Sequence, residues 1–263
     1  MYWRFIAVIL VASWLAACSK PPSGVEVPFA ATFAGVPAAC AGDDGVALTD
    51  LRFYVHNVRL EDQAGQRHNL QLDINDWQQA DLAFLDLEDG SGNCINGTAL
   101  VNDVVRGTVS GQDFRALEFT LGVPFTRNHA DPLQATPPLG DADMHWHWRG
   151  GYKFLRAGIR NKSDSFWLHL GSTGCEGTIR NITGCSAPNR VTVRIENYQP
   201  GETVNIDLAS LVTGGVFEDA APSDCSSGPA EKDCRAAFAA LGLDHPSGAS
   251  AGEQQLFSVP DKP

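Results

Sequence analysis

Apolar and polar side chains alternate with a period of two along much of this chain. Val25, Val27 and Phe29 share one face of a first predicted strand, and residues 51–58 and 117–123 repeat the pattern. Because successive side chains of a strand point to opposite faces, this alternation predicts strands. Short strands separated by frequent turns are typical of a β-sandwich.

Two more strands and one helix are predicted towards the C-terminus. Residues 191–195 form a late strand, and residues 204–208 form its partner after a turn. Between Lys232 and Leu241 the apolar residues follow helical spacing, and Gly242 stands where a helix would end. We therefore expect an all-β fold, an antiparallel β-sandwich with a short C-terminal helix.

The first residues have the pattern of an export signal. Arg4 precedes an apolar run from Phe5 to Ala17, which is shorter than the roughly 20 residues of a membrane-spanning helix. The run ends in Leu-Ala-Ala-Cys, which resembles a bacterial lipobox and implies lipidation of Cys18. Ordinary secretion with cleavage near Ala17 is the alternative.

This interpretation divides the chain into a lipoprotein signal peptide at 1–17, a lipidated tether at 18–24 and a single domain at 25–263. The domain would face the periplasm and touch the membrane through its lipid anchor only. Ser19 stands where Asp would retain a lipoprotein at the inner membrane, which favours the outer membrane.

The formal net charge of the chain is −12. Nucleic-acid binding requires clustered Lys and Arg residues that neutralise phosphates. The acidic balance therefore argues against a nucleic-acid partner, and it suits a protein that meets cations or basic partners.

Seven cysteines are present, and six remain if Cys18 carries the lipid. An even number of cysteines in an exported chain indicates disulfides. Closeness in sequence favours the pairs Cys175–Cys185 and Cys225–Cys234, which leaves Cys40 to pair with Cys94. The alternative is a thiolate metal site, which is disfavoured because no CxxC pair occurs.

Residues 144–148 read Met-His-Trp-His-Trp. In a strand, His145 and His147 would share one face and Trp146 and Trp148 the other. Two imidazoles on one face could share a metal ion, to which Met144 could add a soft thioether. The alternative is that both tryptophans pack in the core while both histidines face water.

Three other histidines lie apart in the sequence. His169 follows Trp167 in an aromatic strand, His129 stands in the long loop 128–143, and His56 lies within a strand. A single histidine is more often structural than a ligand. Several of them in an exported, acidic protein indicate a metal site.

Motifs of other chemistries are absent from the sequence. It contains no P-loop, Rossmann glycine fingerprint, HExxH or CxxCH. We therefore expect a binding protein rather than an enzyme.

Several segments together resemble the MbnP family, in particular its four-cysteine branch, the "metallo-mystery pair" proteins. The resemblance covers most of residues 25–215. It is carried by Leu51–Leu60, Leu121–Phe125, Asn128-His129, Met144–Trp148 with Gly151–Phe154, and His169–Cys175.

The resemblance implies a copper-binding partner of a MauG-like di-haem enzyme. In this family the enzyme oxidises a tryptophan of the binding protein to kynurenine, and the product holds copper in the periplasm. The family histidines fall on His56, His129 and His169, and the modified tryptophan falls on Trp146 or Trp148. The family cysteines fall on Cys40, Cys94, Cys175 and Cys185, so His145, His147, Cys225 and Cys234 are additions.

Three functional hypotheses follow. The first is a copper-binding lipoprotein that is the substrate of a di-haem partner. The second is a β-sandwich lipoprotein that binds a ligand without metal. The third is a secreted enzyme with a copper or zinc centre that has an open coordination position.

Overall fold

A computed structural model describes residues 21–42, 45–162, 164–179, 181–212 and 224–260. The predicted signal peptide and Cys18 lie outside the described residues. The first strand already begins at Ser23, so the last two residues of the predicted tether belong to a sheet.

Strands dominate the described residues. In chain order they are β1 (Ser23–Phe33), β2 (Val36–Pro37), β3 (Ala47–Asp62), β4 (Arg67–Asn69), β5 (Gln71–Leu72), β6 (Gln78–Gln79), β7 (Leu82–Asp86), β8 (Val104–Val109), β9 (Phe114–Leu121), β10 (His145–His147), β11 (Gly151–Arg160), β12 (Ser165–Gly171), β13 (Thr173–Thr178), β14 (Asn181–Ala187), β15 (Val191–Glu196), β16 (Val204–Asp207) and β17 (Phe257–Ser258). The α-helices are α1 (Phe125–Asn128) and α2 (Cys234–Ala240), and 3₁₀ turns occupy Ala142–Met144 and Leu208–Leu211.

These strands form a nine-stranded sheet, a six-stranded sheet and the hairpin β13–β14. In the nine-stranded sheet the long strand β3 pairs with β4, β7, β9 and β11, while β10 and β12 both pair with β11. The six-stranded sheet has the spatial order β17, β16, β1, β8, β5, with β2 beside β1. Because β3 is covered on both faces, nearly all its side chains are buried rather than every second one.

The two large sheets pack face to face through aromatic rings. Phe29 of β1 contacts Phe53 of β3 and Phe119 of β9, with ring centroids 5.6 and 5.9 Å apart. Phe257 of β17 lies 5.3 Å from Phe119 and 5.8 Å from Phe53. Burying each such ring stabilises the fold by about 1.5–3 kcal/mol. The predicted β-sandwich and its C-terminal helix, α2, are thereby confirmed.

One predicted strand pairing is wrong. Strand β15 pairs with β9 in the nine-stranded sheet, whereas β16 pairs with β1 in the other sheet. The turn between β15 and β16 therefore crosses from one sheet to the other. Alternation of apolar residues identifies a strand but not its neighbour, since both sheets of a sandwich offer the same apolar face. The β1–β16 pairing is also parallel, within a largely antiparallel fold.

The three predicted disulfides form: Cys40–Cys94, Cys175–Cys185 and Cys225–Cys234. The second joins directly opposed residues of the β13–β14 hairpin. The third ties residues beside β12 to helix α2, because Cys225 exchanges main-chain hydrogen bonds with Trp167 and His169. All six of these cysteines are oxidised, so a thiolate site does not exist in this state.

No helix within the described ranges is long and apolar enough to cross a bilayer.

Candidate metal site

The loop 128–143, which carries His129, begins at a buried asparagine. Helix α1 is a single turn that ends at Asn128, whose side chain is fully buried. Its Nδ2 donates to the Gly150 carbonyl (3.3 Å), and its Oδ1 accepts from the Tyr152 amide (3.0 Å). These two bonds tie Asn128, the residue before His129, to the turn between β10 and β11.

Gly151 allows this close approach. It has φ +76°, and a Cβ there would lie 2.2 Å from the Asn128 carbonyl oxygen. A positive φ and so short a distance both require glycine. Gly151, in the segment Gly151–Phe154, therefore helps to position His129. The family resemblance included this segment but did not predict that structural role.

Strand β10 holds His145, Trp146 and His147 and pairs with β11, and Trp148 follows directly after it. Met144, just before it, is fully buried in the hydrophobic core, which is where its thioether packs. The ring of His145 lies edge-on against Tyr152, with centroids 5.1 Å apart. The Tyr152 hydroxyl in turn donates to the Leu139 carbonyl (2.9 Å). This bond ties the loop 128–143 to the residue against which His145 packs.

His129, His145 and Trp148 line one cleft of about 450 Å³, together with Ala130, Asp131, Pro132 and Ile179. The exposed side chain of Ile179 comes from the β13–β14 hairpin turn. The Arg149 guanidinium lies 4.9 Å from the centre of the Trp148 ring. The structure therefore places His129, which the family resemblance predicted as a ligand, in the same cleft as His145, which the resemblance treated as an addition.

Both cleft histidines have a buried ring nitrogen without a hydrogen-bond partner, Nδ1 in His129 and Nε2 in His145. Burial is the main reason that the pKa of each is lowered. The main chain of Trp148 opposes part of the shift in the pKa of His129, and the charge of His147 adds to the lowering for His145. Both imidazoles are therefore held neutral, which is the form that binds metal.

His147 has a different role. It is exposed, and its Nδ1 accepts hydrogen bonds from the amides of Arg149 and Gly150, both at 3.2 Å. This leaves only Nε2 able to bind a metal. The bonds shape the turn that presents Trp148 to the cleft.

His56 lies within β3 and is almost fully buried, opposite Leu82 of β7 and Thr120 of β9. Its Nε2 has no hydrogen-bond partner. Burial, and then the nearby charge of Arg190, lower its pKa to about 4. Arg190 also lowers the pKa of His129, so its guanidinium lies near both histidines.

His169 lies on β12 opposite Arg156 of β11, with its ring 6.1 Å from that of Trp167. Its Nε2 is also buried without a partner. Burial, followed by the charges of Arg156 and Lys153, lowers its pKa to about 4. Lys153 also lowers the pKa of the cleft residue His145, but among the described residues no cluster of close donor atoms unites His56, His129 and His169.

The two candidate tryptophans occupy different places. Trp148 lines the cleft with His129 and His145. Trp146 packs over Gly171 of β12, where a Cβ would come within 2.6 Å of the Trp146 ring. Both rings are partly buried. Neither is in the main core, contrary to the alternative in which they pack inside while the histidines face water.

The donor set fits copper. Neutral imidazoles suit copper ions, and buried polar atoms without partners need an explanation such as an ion. His129 and two sulfur atoms also lie together, with the donor atoms of His129, Cys175 and Cys185 within 4.8 Å of one another. Because this sulfur pair is a disulfide, imidazole nitrogens rather than thiolates are the ligands available in this state.

Comparisons with known proteins agree with these observations. Among curated protein sequences none matches the chain. The solved structure of MbnP from Methylosinus trichosporium is similar, with a TM-score of 0.75 and 27% sequence identity. The similarity covers 91% of this chain and 99% of that one. The family model of MbnP matches residues 22–227, most of the chain, and the chain belongs to the MbnP family.

Proposed function

We propose that this protein is a periplasm-facing copper-binding lipoprotein, anchored by a lipid on Cys18 to the outer membrane and without enzymatic activity of its own. Copper would bind in the cleft, through Nδ1 of His129 and Nε2 of His145. One observation carries this proposal: His129 and His145 line one cleft, and each ring has a buried nitrogen without a hydrogen-bond partner of normal geometry. Membership in the MbnP family supports the same function.

We further propose that a MauG-like di-haem enzyme oxidises Trp148 to kynurenine. Trp148 is favoured over Trp146 because it shares the cleft with His129 and His145. In this reaction the C2–C3 bond of the indole breaks, and two peroxide molecules supply two oxygen atoms and leave as water. Hydrolysis of the formyl group then releases formate and leaves an aryl amine beside the copper ligands.

Copper binding is tested first with the oxidised full-length protein. Titration with Cu(I) and Cu(II) against a chromogenic chelator is compared for wild type, His129→Gln, His145→Gln and His68→Gln. His68 is the matched control, because its Nε2 is satisfied by Asp62 at 2.9 Å and it lies outside the cleft. The proposal expects one copper per chain in wild type and the control, with affinity lowered at least tenfold in each cleft variant.

Equal copper affinity in all four proteins would overturn the cleft assignment. No copper binding in any of them would favour a β-sandwich lipoprotein that binds a ligand without metal. The variants His56→Gln and His169→Gln extend the series, since loss of binding in these alone would move the site from the cleft to His56 and His169.

The tryptophan proposal is tested by peptide sequencing of protein exported in the presence and absence of a di-haem partner. The expected product gains one oxygen and loses one carbon, and fragment ions place this change on Trp148. The same change on Trp146, or no change at all, would overturn the assignment to Trp148.

A further inference from the structure

Two groups of donor atoms contain a disulfide, and neither was used in the cleft site proposed above. One combines the Cys175–Cys185 disulfide with His129, and the other combines Cys225–Cys234 with Glu231. Within each group the donor atoms lie within 4.8 Å of one another. The third donor is an imidazole in the first group and a carboxylate in the second. The first disulfide is also the more accessible of the two.

The Cys175–Cys185 disulfide is placed where a reductant can reach it. It bridges directly opposed residues of the β13–β14 hairpin, which is a separate two-stranded sheet with mostly exposed side chains. Cys175 is buried, but Cys185 is only partly so. Thiol–disulfide exchange requires access of the attacking thiolate to one sulfur, and Cys185 offers that access. By contrast Cys225 and Cys234 have no exposed surface.

His129 faces this disulfide with the nitrogen that the proposed cleft site does not use. Its Nε2 lies 3.7 Å from Sγ of Cys185 and 3.3 Å from Nδ2 of Asn128. An amide nitrogen donates only, so Nε2 accepts this bond in the metal-free protein and Nδ1 carries the ring proton. Metal binding at Nε2 exchanges this hydrogen bond for the ion, whereas metal binding at Nδ1 requires the other tautomer. A neutral imidazole and two sulfur atoms are therefore already in place.

We propose that Cys175, Cys185 and His129 form a second metal site that exists only when this disulfide is reduced. A dithiol reductant supplies two electrons and two protons and becomes a disulfide itself, while the Cys175–Cys185 bond breaks to give two thiols. On binding Cu(I) both thiols release their protons, and the ion is held by two sulfurs and Nε2 of His129. Thiolates are the soft ligands that Cu(I) prefers.

This site goes beyond the proposed cleft site and can be separated from it, although both involve His129. The cleft site uses Nδ1 of His129 with His145 and exists in the oxidised protein. The reduced site uses Nε2 and two thiolates, and it does not need His145. Because a neutral imidazole has one lone pair, filling both sites at once requires the His129 ring to release its N–H proton and to bridge the two ions as imidazolate.

The test compares Cu(I) binding by the full-length protein before and after anaerobic reduction, with the reductant removed by desalting. Thiol labelling and peptide mapping identify which cysteines are free. Reduced wild type is expected to bind one more Cu(I) than the oxidised protein, with sulfur-to-copper absorption in the ultraviolet. His145→Gln is expected to retain this gain, whereas His129→Gln weakens it at least tenfold.

The double variant Cys175→Ser/Cys185→Ser is expected to lose the gain, and Cys225→Ser/Cys234→Ser is the matched control that keeps it. Near-ultraviolet circular dichroism of reduced wild type verifies that the fold persists. Absence of extra Cu(I), a gain that survives in the first double variant, or loss of the fold on reduction would overturn the second site. The oxidised samples measure the cleft site separately, so its failure is distinguishable.

Discussion

The amide of Tyr152 donates a hydrogen bond to the side-chain oxygen of Asn128 across 3.0 Å, and both residues are fully buried. This bond connects the loop that carries His129 to the strand against which His145 packs. The distance between the two proposed ligands therefore depends on a residue that binds no metal.

Asn128→Ala removes the three hydrogen bonds of this side chain, with Gly150, Tyr152 and His129, and leaves the Tyr152 amide without a partner. Each buried polar group left unsatisfied costs about 1–3 kcal/mol, so we expect a loss of stability of that order in urea unfolding. We also expect weaker copper binding, because His129 is no longer held beside His145. Unchanged stability and unchanged affinity together would contradict the positioning role of Asn128.

Gly151→Ala should disrupt the same junction from the other side. The new methyl group would meet the Asn128 carbonyl oxygen at 2.2 Å, and the residue has φ +76°. We expect a loss of more than about 1 kcal/mol, since alanine is strained at positive φ even without a clash. Gly140→Ala is the control, because a Cβ there meets nothing within 4 Å. Similar melting temperatures for the two variants would contradict the prediction.

His56 makes stability depend on pH in a defined window. Burial lowers its pKa from 6.5 to about 4, so between these values the unfolded chain binds more protons than the folded one. Its contribution is present above pH 6.5 and is lost as the pH falls towards 4. The loss is about 2–3 kcal/mol.

Urea unfolding across this window measures the effect. His56→Gln should flatten the pH dependence, whereas His68→Gln should leave the contribution of His56 in place. The same slope in wild type and His56→Gln would show that His56 is not the titrating group.

Asp86 acts in the opposite direction. Burial, and then the charge of Glu88, raise its pKa from 3.8 to about 7. Its folded form holds a proton that the unfolded chain has lost, so its contribution to stability is present below pH 3.8 and disappears as the pH rises through 7. Asp86→Asn should therefore raise the stability at pH 8 relative to wild type by about 1–3 kcal/mol and change it little near pH 4.

Asp76 provides the comparison for Asp86. It is exposed on the rim of a cavity that Asp86 also lines, beside Trp77 and Pro138. Asp76→Asn should shift stability by no more than about 0.5 kcal/mol at either pH. Equal effects of the two substitutions at pH 8 would contradict a special role for the buried carboxyl.

Local patterns in the sequence predicted the strands and the disulfides well, because alternation and even cysteine counts are properties of short segments. The strand at 25–33, helix α2 and all three cysteine pairs agree with the structure. The pairing of β15 with β9 was missed, since the choice between two facing sheets depends on contacts far apart in the chain.

The candidate site was harder to predict for the same reason. His129 and His145 meet through the hydrogen bonds of Asn128, which no spacing rule describes. The dipeptide Asn128-His129 in a long loop was the available signal. The closeness of Cys185 to His129 depends on where the β13–β14 hairpin folds back, and only the tertiary structure shows it.

The parallel pairing of β1 with β16 constrains the order of folding. Phe29 lies beside Val204, although the whole nine-stranded sheet is encoded between them. Loop closure over such a separation is slow, so β16 joins β1 late. A chain delivered from its N-terminus has β1 ready long before its partner arrives, with one row of peptide groups open to other strands. A chaperone that prevents aggregation of this chain during export would therefore have to cover the edge of β1 until residues 204–207 emerge.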